Sequence, residues 1–261
     1  MGTARPALSE IFPANTIGYL PNFRVPVLEC RGERRGGRIL ADEFDYVIIG
    51  AGSAGCILAN RLTADGKHDV CLLEAGPRDW NPYLHIPAGF IKTLTNAKVN
   101  WLYQAEPSHW TGGRIIDVPR GKTLGGSSAI NGHIYNRGQR MDYDNWAQRG
   151  NQGWGYADVL PYFRRCERRI GEADDTYRGR EGNLQVTDLN YTHPLCEAFM
   201  KGAEQLGIPR NPDYNGARQE GISYVQRTTY GRRRVSTARA FLNPAKSRPN
   251  LTVRTSAHAT R

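Results

Sequence analysis

No stretch of this 261-residue chain reaches the roughly 18 consecutive apolar residues that a membrane-spanning helix needs. The N-terminus lacks the apolar core of a secretory signal. Cysteine is scarce. The five, Cys30, Cys56, Cys71, Cys166 and Cys196, are dispersed, odd in number and never spaced CxxC. That argues against a disulfide framework and against a zinc site, and it fits reduced thiols in a cytoplasmic protein. Internal repeats and low-complexity tracts are absent. Acidic residues are the minority charge, 25 against 35 lysines and arginines, for a net +10. The basic stretches "RGERRGGR" (31–38), "RRCERR" (164–169) and "GRRR" (231–234) carry no nucleic-acid-binding motif. They read as a solvated basic surface.

What is present is an ordinary soluble composition, 39% hydrophobic and 23% charged, long enough for one large domain or two smaller ones. Glycine is abundant, 29 in all, and clustered, which points to turns and ligand loops. Residues 1–43 are proline-interrupted and read as an irregular arm. Order is expected from "DYVIIGAGSAGCILANRLTADGKHDVCLLEAG" (45–76). Tyr46–Ile49 reads as a strand, and Gly50-Ala51-Gly52-Ser53-Ala54-Gly55 matches GxGxxG. A helix follows, with Ala54, Ile57, Leu58 and Leu62 on its apolar face. Val70–Leu73 is a second strand, ending at Glu74.

A lone GxGxxG is weak. Strand, glycines, helix, strand and terminal acid in that order make the complete dinucleotide-binding unit. Gly50 permits the tight turn, Gly52 lets a pyrophosphate approach the backbone, and Gly55 lets the helix pack on the strand. The free N–H groups and dipole of the helix start favour an anion. Glu74 can accept from a ribose diol.

A second glycine-rich segment, "RGKTLGGSSAINGHIYNRG" (120–138), is a poor helix and a poor strand. Its Gly125–Ser128 backbone can lie against a pyrophosphate or a flat ring, and Asn131 can bond ring heteroatoms. Such a pair of loops suits a two-part cofactor, a flavin better than a nicotinamide. Between the two loops, 77–119 reads as irregular, anchored by Trp80, Tyr83, Phe90, Trp101, Tyr103 and Trp110. Farther on, "YADVLPYFRRCERR" reads as a helix with Pro161 near its start, and "GREGNLQVTD" (179–188) as a strand. Residues 193–207 read as a helix with Leu195, Phe199, Ala203 and Leu206 on one face and Gly207 as its cap. "GISYVQRTTY" (221–230) reads as β-rich, Ser236–Leu242 as a short helix and "NLTVRT" (250–255) as a strand.

The segment "GKTLGGSSAINGHIYNRGQRMDYD" (121–144), with "DYVIIGAGSAG" and "LLEAGP", resembles the glucose–methanol–choline (GMC) flavoprotein oxidoreductases. "NWAQRGNQGWGYADVLPYF" resembles their choline dehydrogenase-like branch. The resemblance runs from about Asp45 to Arg261. It implies an α/β fold: a Rossmann-like FAD-binding domain (44–190), part of an antiparallel-sheet substrate domain (191–249) and a strand returning to the FAD domain (250–261). It implies an FAD-dependent oxidoreductase acting on CH–OH groups of a primary alcohol or choline-like compound, with hydride passing to flavin N5. A quinone or another carrier would take the electrons, and contact with the inner membrane face is left open.

By the same resemblance, Gly50, Gly52, Ser53, Ala54 and Gly55 receive the pyrophosphate, while Glu74 and Ala75 hold the adenosine ribose. Thr123, Gly126, Ser127, Asn131, Gly132, His133 and Ile134 line the isoalloxazine and its linker. Ala259 lies at the adenine. Some members attach the flavin through a histidine that aligns with Ile130, so FAD is expected to be non-covalent here. The family's catalytic histidine lies near its C-terminus, and none of His68, His85, His109, His133, His193 and His258 matches it. The chain therefore reads as the N-terminal part of such an enzyme. The alternatives are a non-catalytic flavin-binding module, a basic nucleic-acid binder and a nicotinamide enzyme.

Overall fold

The structure is a computed structural model that describes residues 43–260. The reading of 1–43 as an arm falls almost wholly outside the described residues. From Tyr46 onward the chain packs as one unit.

Its centre is a three-stranded parallel sheet. Strand β1 (Tyr46–Ile49) runs into helix α1 (Ser53–Leu62), which returns the chain to β2 (Val70–Leu73). Strand β9 (Leu251–Arg254) then comes back from far along the sequence to pair with β2, placing Val70 opposite Leu251 and Leu73 opposite Arg254. The strand predicted over 250–255 is thus present and parallel. β2, central among these three, is an apolar run, as a strand covered on both faces should be. Val70, Cys71 and Leu72 are all buried.

One side of this sheet is sealed by α1 and by a π-helical turn, Ala238–Leu242, that runs on into Asn243–Ala245. Phe241, Leu242, Val235 and Ala238 pack there with Cys56, Ala59, Val70 and Leu72. Each fully buried Val, Leu or Phe contributes about 1.5–3 kcal/mol. Asn60 ties the two helical pieces by donating to the Phe241 carbonyl at 2.7 Å. The inward face of α1 matches the expected one only in part, since Ile57 and Leu62 do pack against this core. Gly55, Cys56, Ala59 and Asn60 are buried, Ala54 is exposed and Leu58 is 48% exposed. Small residues win because the helix lies close to the strand. A Cβ on Gly55 would sit 2.0 Å from the Gly50 carbonyl oxygen.

Between β2 and the second glycine segment lie short turns and the hairpin of β3 (Tyr103–Ala105) and β4 (Ile116–Val118). The aromatic residues of this region do not all anchor it. Trp80 and Trp110 are 79% and 92% exposed, and Tyr83 and Tyr103 are exposed too.

The second glycine segment contains one short helix, α2 (Ser127–Ile130), followed by α3 (Arg140–Gln148) and α4 (Tyr156–Cys166). Pro161 sits inside α4, not in its first turn. β5 (Glu167–Arg169) pairs in parallel with β6 (Leu184–Val186), and α5 (Pro194–Gln205) follows. α5 ends as expected, with Gly207 at φ +85° just past it, but of the expected face only Ala203 turns inward. Met200 and Ala203 are buried, while Leu195, Phe199 and Leu206 are 74%, 75% and 83% exposed. The only antiparallel strands in the 191–249 region, among the described residues, are the two-residue pair β7 (Thr229–Tyr230) and β8 (Arg233–Arg234).

Two basic stretches are corrected by the fold. Arg234 is 1% exposed, and within "RRCERR" Glu167 is fully buried and Arg169 nearly so. Glu167 receives Arg137 on one carboxylate oxygen and Arg178 on the other. Arg178 also reaches Asp213 and Gln226. Charge that looked like surface is therefore partly interior, and it pins α4, β5 and the 213–226 segment to the loop after α2.

Candidate functional site

The sharp turn after β1 needs Gly50, which has φ +91° and donates its N–H to the Leu73 carbonyl at 2.8 Å. The turn delivers Gly52 to the start of α1, where no side chain caps the helix. A Cβ built on Gly52 meets nothing within 4 Å. The first-turn donors Ser53, Ala54 and Gly55 thus open onto free space bordered by a glycine that would otherwise fill it. That is the geometry an anionic pyrophosphate requires.

The second glycine segment packs directly on the first. Gly125 N–H donates to the Ala51 carbonyl at 2.7 Å. A Cβ on Gly126 would lie 2.7 Å from the Gly52 Cα, and one on Gly121 would lie 2.1 Å from the Gly126 carbonyl oxygen. Gly76, just past Glu74, has the same constraint against the Lys122 carbonyl. Much of the glycine in 120–138 is therefore required by backbone on backbone. Gly132 differs, since nothing lies within 4 Å of a Cβ placed there.

Glu74 ends β2 with its carboxylate beneath the first loop. Its two oxygens accept from Ala51 N–H and Gly76 N–H, each at 2.8 Å. Burial raises its pKa above the usual carboxylate range, against the pull of those two N–H donors and of Lys122. Each oxygen keeps a lone pair beyond these two bonds. The chain after β9 passes alongside, with Ser256 N–H donating to Gly76 and Ala257 N–H to Glu74 main-chain carbonyls. That brings half-buried Ala259 within two residues of the acidic corner, and Ala75 is half-buried in the same corner.

Thr123 is buried and donates its hydroxyl to the Pro77 carbonyl. Its side chain thus braces the loop and is not free for a ligand. Ser127 is likewise engaged, accepting from Gly121 N–H at 3.2 Å. Asn131 follows α2 and is exposed, as is Ile134. Ile130, the position aligned with the covalent histidine, is 2% exposed and packs with Leu84, Val99 and Ala129.

His133 is 5% exposed and has φ +51°. Both ring nitrogens are buried without a hydrogen-bond partner. Burial, with Arg234 and Arg227 close by, lowers its pKa to about 4. The ring is neutral near pH 7 and sits near Phe90, 6.3 Å between centroids.

Several residues at the site were not singled out by the sequence for the roles they take. Ala51 serves the first loop through its main chain alone. Ser128 and Thr237 join through their hydroxyls at 2.9 Å, tying α2 to the turn before the π-helix. Arg234, read as surface charge, donates to Asn131 Oδ1 and the Ser128 carbonyl. The GRRR run could not have distinguished it from its exposed neighbours.

Two clefts lie elsewhere. One of about 580 Å³ runs between α3 and the 214–220 loop, and one of about 670 Å³ between α4 and residues 178–183. Among the described residues there is no group of three or more His, Cys, Asp or Glu side chains that could hold a metal ion. No helix among them is long and apolar enough to cross a membrane.

Comparison with known proteins agrees with this geometry. The family model "GMC oxidoreductase", in its N-terminal form, matches residues 44–261. An alcohol dehydrogenase (acceptor) of Pseudomonas putida is 45% identical over 218 residues, covering 84% of this chain and 40% of its own length. Mitochondrial choline dehydrogenase of Mus musculus is 44% identical over 219 residues, covering 80% and 36%. Among solved structures, pyridoxine 4-oxidase from Mesorbium loti superposes with a TM-score of 0.77 at 32% identity, covering 82% of this chain and 42% of that one. An FAD-dependent oxidoreductase from Chaetomium thermophilum gives 0.73 at 30%, covering 81% and 38%. The chain spans about two fifths of the length of these relatives. With an uncapped helix start, an acid closing β2 and two interlocked glycine loops, it belongs to the GMC oxidoreductase family.

Proposed function

We propose that this chain forms the FAD-binding part of an oxidoreductase acting on CH–OH groups, with a primary alcohol or a choline-like compound as substrate. The observation that carries the reading is the lock of Gly126 against Gly52, beside the open start of α1. Two glycine loops fixed to each other suit a cofactor with two parts.

When bound, FAD supplies the flavin N5 that accepts a hydride from the alcohol carbon. The chain's own residues bind and orient. Gly50, Gly52, Ser53, Ala54 and Gly55 offer backbone to the pyrophosphate, and Glu74 with Ala75 holds the ribose. The backbone at Ala259 borders the adenine. Thr123, Gly126 and Ser127 shape the floor through main chain, and Asn131, Gly132, His133 and Ile134 border the ring. Ile130 offers no nucleophile and its side chain is packed away, which supports non-covalent FAD. Flavin that stays with the polypeptide after acid precipitation would overturn that point. The division at residues 190 and 249 belongs to this reading and is supported by β9 returning to β2. A quinone-like acceptor and a cytoplasmic setting, peripheral to the inner membrane face, complete it.

A second reading is a flavin-binding module without its own catalysis. The state of His133 favours it. A general base must reach the alcohol proton, and this imidazole is buried and too weak a base to be protonated except at about pH 4 and below. The first test is the visible spectrum of the purified chain. Flavin bands released to the filtrate on denaturation support FAD binding, and a folded, colourless chain that ignores added FAD sinks it. Alcohol-dependent dye reduction then separates the readings: a clear rate favours the enzyme, none the module.

A further inference from the structure

Asn131 is exposed, yet one end of its amide is held from two directions. Oδ1 accepts from His133 N–H at 3.0 Å and from Arg234 Nη1 at 2.8 Å. Arginine only donates. The amide cannot be flipped without setting its NH2 group against a guanidinium. Nδ2 is therefore the outward end, and it has no hydrogen-bond partner among the described residues.

Arg234 is an unusual choice for a merely structural role. It is 1% exposed. Nη1 also donates to the Ser128 carbonyl at 3.2 Å, and Nε and Nη2 are buried without partners. No carboxylate among the described residues pairs with it. Burying such a charge is costly, and an apolar residue of similar volume usually serves stability as well or better. What an apolar residue could not do is add a second donor to the His133 N–H and so fix which end of Asn131 faces outward.

We propose that Arg234 is a positioning residue that locks the Asn131 amide so that its Nδ2–H donors face the cofactor, selecting the hydrogen-bond-accepting edge of the oxidised flavin ring. This rests on the FAD reading given above. The chemistry selected is a carbonyl oxygen or a ring nitrogen with a free lone pair. An edge that only donates is rejected.

The decisive variant is Asn131→Asp in the full chain. It keeps the shape, still accepts from His133 N–H, and gives Arg234 an ionic partner. It removes the only donors of residue 131 that face outward. Asn131→Ala is the reference that breaks the lock. The expected result is a melting temperature for Asn131→Asp at or above wild type, together with FAD affinity, followed by flavin fluorescence quenching, at least about tenfold weaker, as losing a donor and facing two acceptors would cause. Asn131→Ala should melt lower. Arg234→Lys, which also only donates, should keep more FAD affinity than Arg234→Gln, whose side chain can accept from a flipped Asn131. FAD binding by Asn131→Asp within about twofold of wild type would overturn the proposal. So would an Asn131→Asp chain that melts as low as Asn131→Ala, because Arg234 would then not be holding the side chain. If wild type takes up no FAD, the reading of the site fails separately, and the melting comparison still decides whether the lock exists.

Discussion

At the scale of the residue, the fold stores charge and protonation in places a surface reading does not suggest. His133 has a folded pKa of about 4 against 6.5 for the free side chain. The lowered value means the folded state prefers the neutral ring. Its contribution is complete above pH 6.5 and is lost as pH falls toward 4. The size is about 3 kcal/mol, at 1.36 kcal/mol per pH unit. Glu74, whose pKa is raised, acts with the opposite sign. Its contribution is present at low pH and fades as pH rises through the raised value. A single variant separates them. In denaturant titrations, His133→Asn, which tolerates positive φ and does not titrate, should flatten the loss of stability between pH 6.5 and 4. An unchanged slope would mean the ring is solvated. Glu167 is another interior charge. Glu167→Gln leaves the Arg137 guanidinium facing a neutral amide while Arg178 keeps Asp213, and the expected cost is about 3–5 kcal/mol. Chemical denaturation would measure it.

At the scale of the element, the two glycine loops behave as one object. Gly121 and Gly126 permit the second loop to lie on itself and on the first. Gly121→Ala would place a methyl group 2.1 Å from the Gly126 carbonyl oxygen, a backbone overlap that only movement of the loop relieves. The expectation is a loss of stability of a few kcal/mol, on the order of overpacked cores or more, together with loss of FAD uptake. Gly132→Ala faces open space and should fold normally, so any loss of FAD by that variant reports the ligand and not the scaffold. Helix α5 is the contrasting element. Its amphipathic pattern is genuine, but the apolar stripe of Leu195, Phe199 and Leu206 faces outward. Changing Leu195 and Phe199 to Gln should move the melting temperature little, as exposed positions usually do, while reducing binding of a hydrophobic dye. A large drop in stability would show that the face is packed in solution.

At the scale of the whole molecule, the candidate site and the central sheet are built from the same distant segments. β9 reaches β2 from about 180 residues away in the chain, pairing Val70 with Leu251. The tail after it lies on the main chain of Glu74 and Gly76. Occupying the site therefore ties together segments from both ends of the described chain. If FAD binds only the folded state, the melting temperature should climb with FAD concentration. The gain is about 2.7 kcal/mol at a hundredfold excess over Kd. A melting temperature indifferent to FAD at high concentration would mean that this chain does not bind it. The Gly50–Gly55 turn should be protected from proteolysis in step with the same titration.

The amino-acid sequence alone determined the strand–turn–helix–strand unit, because its signals are local. Gly50 sets a positive φ, Gly52 keeps the helix start open, and the apolar run 70–73 fits a covered central strand. The resemblance of 121–144 supplied the family for the same reason, since close backbone contacts restrict residue type over a continuous stretch. Tertiary structure decided everything that depends on what lies across the fold. Ala54 and Leu58 gave up the inward face of α1 to Cys56 and Ala59 because the π-helical turn approaches closely there. Leu195 and Phe199 turned outward because only Met200 and Ala203 meet the body of the protein. Arg234, identical in local signal to Arg232 and Arg233, became a buried partner of Asn131 because β8 carries it beneath the loop after α2. Periodicity records that a face is apolar and composition records that a residue is charged. Which neighbour each side chain meets is fixed only when distant segments are brought together.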